Sequence, residues 1–260
     1  MITLPVKNII LSRKEAFSII AMVLFLGFFS RAFCQNTPFV QFGIKSGFTM
    51  SDLYGSDTYL LDSLMIADGL APHARFGLPF GVSFSTRLNA YWGLGVELFY
   101  TMKGKKYVYS LTRNDVTGTL DYIFKFNYLE VPILLKFFIP GESDFNSNFY
   151  AGFSPGFLTA ALQHMKIDVE GKTYLDTSSS FYNNCNTIDY GIVFGAGGFV
   201  SEETIDVTLD LRCTVGLSSV FKRQRYETEA VDIKNWQVMV LLGFVKRLSK
   251  NNPHDDKTGQ

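Results

Sequence analysis

IDVTLDLRCTVGL, residues 205–217, is the stretch on which the fold turns. Ile205, Val207, Leu209, Leu211, Val215 and Leu217 hold the odd positions; Asp206, Thr208, Asp210, Arg212 and Thr214 hold the even ones. Successive side chains of an extended strand point to opposite faces, so this stretch has one oily face and one polar face. A helix would scatter both sets around its circumference.

The same alternation recurs on both sides of it. Val40, Phe42, Ile44 and Phe48 oppose Gln41, Gly43, Lys45 and Gly47 in a strand over 39–50. Phe76 to Phe84 oppose Gly77, Gly81, Ser83, Ser85 and Arg87 over 76–88, and Trp92 to Tyr100 oppose Gly93, Gly95, Glu97 and Thr101 over 91–103. Further strands are expected over 148–162, 187–201 and 232–246, the last with Trp236, Val238, Val240, Leu242 and Phe244 on its oily face. Over 122–138 the pattern changes phase. Tyr122, Phe124 and Phe126 are even, whereas Leu129, Val131, Ile133 and Leu135 are odd. An inserted residue near Tyr128 would do this, so a β-bulge is expected there.

Eight strands follow, with no helical period of useful length. Their connections alternate. Asn89-Ala90, Pro140 to Ser147 and Glu202-Glu203 are short; 51–75, 104–121, 163–186 and 219–231 are long. Short turns at one end and long loops at the other mark an outer-membrane barrel with its long loops outside the cell. The fold class expected is all-β, an eight-stranded antiparallel up-and-down transmembrane β-barrel.

A soluble barrel would show the same alternation with the faces exchanged. Volume decides against it, because the interior of eight strands is only just filled by ordinary side chains. Phe, Trp, Leu and Ile on almost every strand would overfill it, while Gly, Ser, Thr and a few charges fit. The bulky face therefore points to lipid. Trp92, Phe137 and Phe149 at the short-turn end and Tyr100, Tyr190 and Trp236 at the long-loop end suit two aromatic girdles.

Lys45, Glu97, Glu130, Lys136, Asp210 and Arg212 then fall on the inner face. Both signs are present, and buried charges need partners. A salt-bridged structural plug is the expectation; a proton or ion path is the sharper alternative.

The N-terminus reads as a signal peptide over 1–34. Lys7, Arg13 and Lys14 precede an apolar run from Ala16 to Phe29, too short to span as a helix, with cleavage expected before Gln35. The barrel domain is expected over 35–248 and a polar tail over 249–260. Cys185 and Cys213 are expected at unrelated depths, which makes no disulfide framework. The 24 basic and 24 acidic side chains cancel, which argues against a nucleic-acid binder with a broad basic face. Charged residues are 18% of the chain and aromatics 15%, so the surface does not face water everywhere.

Catalysis finds little support. His73 and His164 lie in different long loops that could approach each other, but no Ser or Asp spacing beside them is diagnostic. No Cys/His cluster has zinc spacing. Gly195, Gly197 and Gly198 lack a following Lys-Ser/Thr, so close packing explains them better than phosphate binding. No cofactor is expected.

Gly43-Ile44-Lys45-Ser46-Gly47-Phe48, Tyr128-Leu129-Glu130-Val131-Pro132-Ile133-Leu134-Leu135-Lys136, Asp189-Tyr190-Gly191 with Gly195-Ala196-Gly197, and Leu209-Asp210-Leu211-Arg212 with Gly216-Leu217 carry a resemblance. Across 39–246 the chain resembles the PorT-like outer-membrane β-barrel family of Bacteroidota, Tyr-Leu-Glu-x-Pro being its most specific piece. The resemblance implies a porin-like barrel, and the family's founding member serves protein secretion across the outer membrane. The chain departs from the common pattern at its end, where a polar tail from Arg247 to Gln260 follows and Phe244 must stand in for a terminal aromatic. The partners expected are outer-membrane lipid and proteins met through outer loops or periplasmic turns. A structural or interaction barrel at the cell surface is the first reading of function. A secretion accessory, a small pore and a membrane-embedded enzyme are the alternatives.

Overall fold

The computed structural model describes residues 40–113, 116–139, 145–201, 205–222 and 232–248. The expected signal peptide over 1–34, the expected polar tail over 249–260, and most of two of the expected short turns lie outside these residues. Among the described residues there are eleven strands: β1 (Val40–Tyr54), β2 (Ala71–Gly77), β3 (Phe80–Arg87), β4 (Trp92–Arg113), β5 (Val116–Glu130), β6 (Ile133–Ile139), β7 (Phe145–Val169), β8 (Lys172–Ser180), β9 (Ile188–Ser201), β10 (Ile205–Gly216) and β11 (Lys234–Leu248). One α-helix among the described residues, α1 (Thr58–Ala67), joins β1 to β2, and a single 3-10 turn (Tyr182–Asn184) precedes β9.

These strands make eight staves. β2 and β3 are one stave interrupted at Leu78-Pro79, β5 and β6 another interrupted at Val131-Pro132, and β8 and β9 follow one another along the same side of β7. Proline has no N–H for a ladder, so strands break or bulge around it. Every neighbouring pair is antiparallel, and β1 closes on β11 from Val40↔Leu248 to Tyr54↔Lys234. Closure matters in lipid, where an unpaired strand edge has no water to bond.

The faces divide as the alternation requires. Phe42, Ile44, Phe84, Phe153, Phe194, Leu209, Leu211, Leu242 and Phe244 are exposed on the outer wall, while Lys45, Ser83, Glu97, Asp210 and Arg212 are buried inside. Trp92 packs edge-on against Phe137 at 5.1 Å and Phe153 stacks on Tyr190 at 5.7 Å. These are girdle-type contacts at opposite ends of the wall.

The expected bulge near Tyr128 needs correction. The pairing shifts between Asn127↔Ala160 and Tyr128↔Leu158, so the extra residue is Thr159 on β7. Along β5 and β6 the even residues stay inside throughout: Phe124, Phe126, Tyr128, Glu130, Leu134 and Phe138 are all buried. What changes is the chemistry of the inner face, from aromatic to ionic, and no phase slip is involved.

Two of the expected long loops are largely strand. β4 and β5 continue pairing to Arg113↔Val116, and β7 and β8 form a ribbon that turns at Glu170-Gly171, both with positive φ. The barrel therefore rises well beyond the oily band at this end, called here the tall end. Outside this rise the wall carries ion pairs such as Lys106–Asp121 at 2.7 Å and Lys166–Asp168 at 2.6 Å. Inside lies a core of Leu53, Leu70, Tyr107, Phe124, Phe126, Tyr128, Leu158, Ala161, Cys185, Val220 and Ile233. Leu61 and Met65 of α1, together with Phe181 and Phe221, close its top.

Candidate functional site

Charged groups line the inside from mouth to mouth. At the short-turn mouth, Arg247 pairs with Asp206 at 2.6 Å, and Gln41 donates to Asp206 at 2.9 Å. Deeper in, Lys45 reaches Glu97 at 2.9 Å and Asp210 at 2.7 Å. Arg212 pairs with the other oxygen of Glu97, donates to the Tyr150 hydroxyl at 3.4 Å, and lies over the rings of Phe99 and Tyr150. Four of the six residues picked from sequence thus meet in one cluster.

Lys136 lines the same space without an ion pair among the described residues. It faces a cavity of about 30 Å³ bordered by Lys45, Ser83, Asn148 and Asp210. Glu130, the sixth, belongs to a separate cluster nearer the tall end. Lys103 sits 2.6 Å from Glu130 and 3.2 Å from Asp189, and Gln237 donates to Glu130 at 3.0 Å. Glu130 and Arg212 therefore serve different clusters.

Local sequence makes the room. β9 carries glycine where β10 and β7 send large side chains inward. A Cβ on Gly197 would stand 2.2 Å from Asp210 Oδ1, and one on Gly195 2.6 Å from the Tyr150 hydroxyl. Removing Cβ at those two positions lets a carboxylate and a phenol stand in a barrel of eight staves.

Lys103, Asp189, Gln237, Asn235 and Tyr150 were missing from the sequence-based set. Parity alone would have found Lys103, since it is odd like Glu97 and Thr101 on β4. The Gly104-Lys105-Lys106 that follows reads as the start of a loop, which hid it. Above Lys103, Lys105 reaches Asp52 at 3.2 Å and Asp62 of α1 at 3.0 Å, and the Tyr107 hydroxyl donates to Asp62 at 2.7 Å. Those bonds fasten α1 across the mouth.

The two histidines do not meet. His73 opposes Lys106, which opposes Ile123, which opposes His164, so three strand spacings separate them. His164 Nδ1 stands 2.8 Å from Ser178 Oγ, and Nε2 is 3.7 Å from Asp176. Ser178 and Asp176 are exposed on the β7–β8 ribbon, open to water, unlike a sheltered catalytic site. Cys185 and Cys213 are free thiols, and no group of three or more His, Cys, Asp or Glu among the described residues is placed to hold a metal.

A closed antiparallel wall, oily outside and ionic inside, is the architecture of an outer-membrane β-barrel. Residues 33–222 match the family model described as outer membrane protein beta-barrel domain, and the chain belongs to that family. Its place is accordingly the outer membrane. No curated protein matches the chain. Among solved structures it is similar to neisserial surface protein A, NspA, at 12% identity, covering 80% of this chain and 97% of that one with a TM-score of 0.41. It is also similar to the outer membrane protein OprG from Pseudomonas aeruginosa (14% identity, 79% and 95% covered, TM-score 0.38). A third is Ail, the attachment invasion locus protein of Yersinia pestis, solved with the heparin analogue sucrose octasulfate (11% identity, 79% and 98% covered, TM-score 0.33).

Proposed function

We propose that this chain is a PorT-like barrel, exported by cleavage of residues 1–34, whose domain over 35–248 acts as a structural or interaction protein at the cell surface. The observation that carries this reading is how the interior is filled. Ion pairs occupy the lumen beside Glu97 and Glu130, aromatic side chains occupy it from Tyr128 upward, and α1 lies across the top. A conduit needs an open path for water, and ion-paired and aromatic side chains fill that space instead. The salt-bridged lumen set serves as a structural plug. What remains for contact is the outside of the tall end, which this reading places outside the cell. There α1 presents Tyr59, Leu60, Leu64 and Ile66 to solvent, and large exposed apolar patches mark interaction sites.

Affinity capture from intact outer membranes tests this, comparing the wild type with Tyr59→Ser/Leu64→Ser. Loss of a captured protein in the variant, with the barrel still folded, supports the reading. Steady conductance of the wild type in planar bilayers would sink it in favour of a pore. The second reading, an accessory of protein secretion, is favoured by the Tyr128-Leu129-Glu130-Val131-Pro132 resemblance. A secretion defect on deletion of the gene, restored by the wild type, would support it.

A further inference from the structure

The outer wall has a dent. Along one row of outward-facing side chains, Leu242, Ser46, Phe80, Tyr100 and Leu129 follow one another on β11, β1, β3, β4 and β5. Ser46 is the small member, and its hydroxyl donates to the Pro79 carbonyl at 2.9 Å. Around it the wall forms a groove of about 550 Å³, lined mainly by apolar side chains including Ile44, Phe80, Tyr100, Leu129, Leu242 and Phe244. This wall faces lipid, so the solvent offered to the groove is acyl chain.

Immediately toward the tall end the ladder between β2–β3 and β4 lapses. Pairing stops at Ala74↔Lys105 and resumes at Phe80↔Tyr100. Arg75 enters the lapse and donates to the Lys103 carbonyl. Its Cδ lies 3.4 Å from where a Cβ of Gly104 would stand, and Gly104 has φ +139°, a conformation glycine alone adopts freely. Directly opposite Gly104 on β5 is Lys125, also outward. Arg75 and Lys125 are near enough to repel each other, and Arg75 also senses the Tyr100 hydroxyl.

Neighbouring cations on this face are balanced, Lys106 by Asp121 and Lys166 by Asp168. Arg75 and Lys125 make no ion pair with any described carboxylate; Asp176 attracts Lys125 only from beyond pairing distance. Two adjacent cations left unbalanced at the upper edge of an oily groove call for an anion carried on an oily chain.

We propose that the groove around Ser46 and the cations Arg75 and Lys125 together bind one phosphorylated membrane lipid, its chain in the groove and its phosphate between the cations. Lys125 stands four residues along β5 from Leu129, about 13 Å at strand rise, so the phosphate and the chain of one lipid span the two parts. Guanidinium suits phosphate because it donates in a planar fork.

The test uses the full mature barrel in detergent, with bound lipid counted by native mass spectrometry. The probes are dioleoyl phosphatidic acid and dioleoylglycerol, which share chains and differ in the phosphate. Phosphatidic acid should be retained about tenfold better, the order expected of cations near a membrane surface. Arg75→Gln/Lys125→Gln should bring the two probes level, whereas Arg75→Lys/Lys125→Arg should keep much of the preference. Ser46→Phe, which fills the dent, should lower retention of both. Level retention by the wild type, a preference untouched by the neutral double variant, or retention untouched by Ser46→Phe would overturn the proposal. Full displacement by equimolar inorganic phosphate would also overturn it, leaving an anion site with no lipid. Should the neutral double variant fail to fold, Lys125→Gln alone is read by the same criterion.

Discussion

Around Arg212 the interior of this barrel is ionic: Lys45, Glu97, Asp210 and Arg212 are buried and interlocked. Around Phe126, further along the same staves, it is aromatic, with Phe124 and Phe126 packed edge to face on Phe181 and Tyr128 in the same core. β4 and β5 keep their parity between the two regions, and only the extra residue Thr159 shifts it on β7. What changes is the medium outside the wall. Where the wall meets lipid, large apolar groups point outward and polar ones are left to fill the lumen. Where it rises beyond the oily band, Lys106, Asp121, Lys166 and Asp168 point outward, and the apolar groups turn in as they do in any water-soluble protein. The inversion of the inner face along β5, between Glu130 and Phe126, marks where the medium changes.

The two regions should break differently. The largest effect is expected from Arg212→Leu, which leaves Glu97 with Lys45 alone in a space closed to water. Removing one partner of a buried pair costs about 3–5 kcal/mol, read as a lower midpoint when the detergent-folded barrel is unfolded by heat or urea. Lys222→Leu, exposed at the tall end, should move the midpoint by no more than about 0.5 kcal/mol. An unchanged midpoint for Arg212→Leu would mean the lumen ions do not hold the barrel together at that point.

Phe126→Ala comes next, at about 3 kcal/mol, because it deletes a fully buried ring and leaves a cavity. Its loss should be local. Heat-modifiable migration on gels reports the membrane wall and should persist, while protease attack on the tall end should rise. If migration is lost as well, the two regions fold as one unit and the comparison fails.

A smaller effect sharpens the contrast. Asp210→Leu alone leaves Lys45 with Glu97 and should cost about 1–3 kcal/mol. Adding Lys45→Met leaves the Glu97–Arg212 pair intact and removes the surplus cation. The double variant should therefore be more stable than the sum of its singles by about 1 kcal/mol or more. No comparable rescue exists for the aromatic region, where two lost rings leave a larger void. Strict additivity of Asp210→Leu and Lys45→Met would show that the ions do not act as a network.

The eight staves were legible in the sequence because a half-lipid wall writes its period into every strand. Residues 205–217 show it without a break, and the observed β10 runs Ile205–Gly216. Strand ends were less legible. The rule that apolar means outward holds only in the membrane, so Phe124 and Phe126 look out of phase, and the strand stretches 104–113, 116–121, 163–169 and 172–180 read as loops. Lys45, Glu97, Asp210 and Arg212 were found because a charge at inner parity within an oily strand has nowhere else to go. That Glu130 stands apart from them in a second cluster with Lys103 and Asp189, and that Tyr150 joins the first, depends on how the staves are staggered around the barrel, which no single strand encodes.

The last contrast concerns reactivity and costs no stability. Cys185 lies in the apolar core of the tall end, fully enclosed, and burial pushes its thiol up to about 11. Only the thiolate attacks. At pH 8 a thiol of pKa about 11 is ionised to roughly one part in a thousand, while an exposed one of pKa about 8.5 is roughly a quarter ionised. Ionisation alone then separates the two by about two hundredfold, before access is counted. With Cys213 replaced by Ala, a maleimide reagent that cannot cross membranes should leave Cys185 unlabelled on whole cells. Lys172→Cys on the exposed ribbon, in a background with Cys185 and Cys213 replaced, should label within minutes. Phe126→Ala, by loosening the packing over the thiol, should raise labelling of Cys185 toward that of the ribbon. Fast labelling of Cys185 in the otherwise native protein would mean the aromatic region is open to water, and the contrast with the ionic lumen would have to be redrawn. Absence of labelling at Lys172→Cys on intact cells, with labelling after lysis, would instead place the tall end inside the cell envelope.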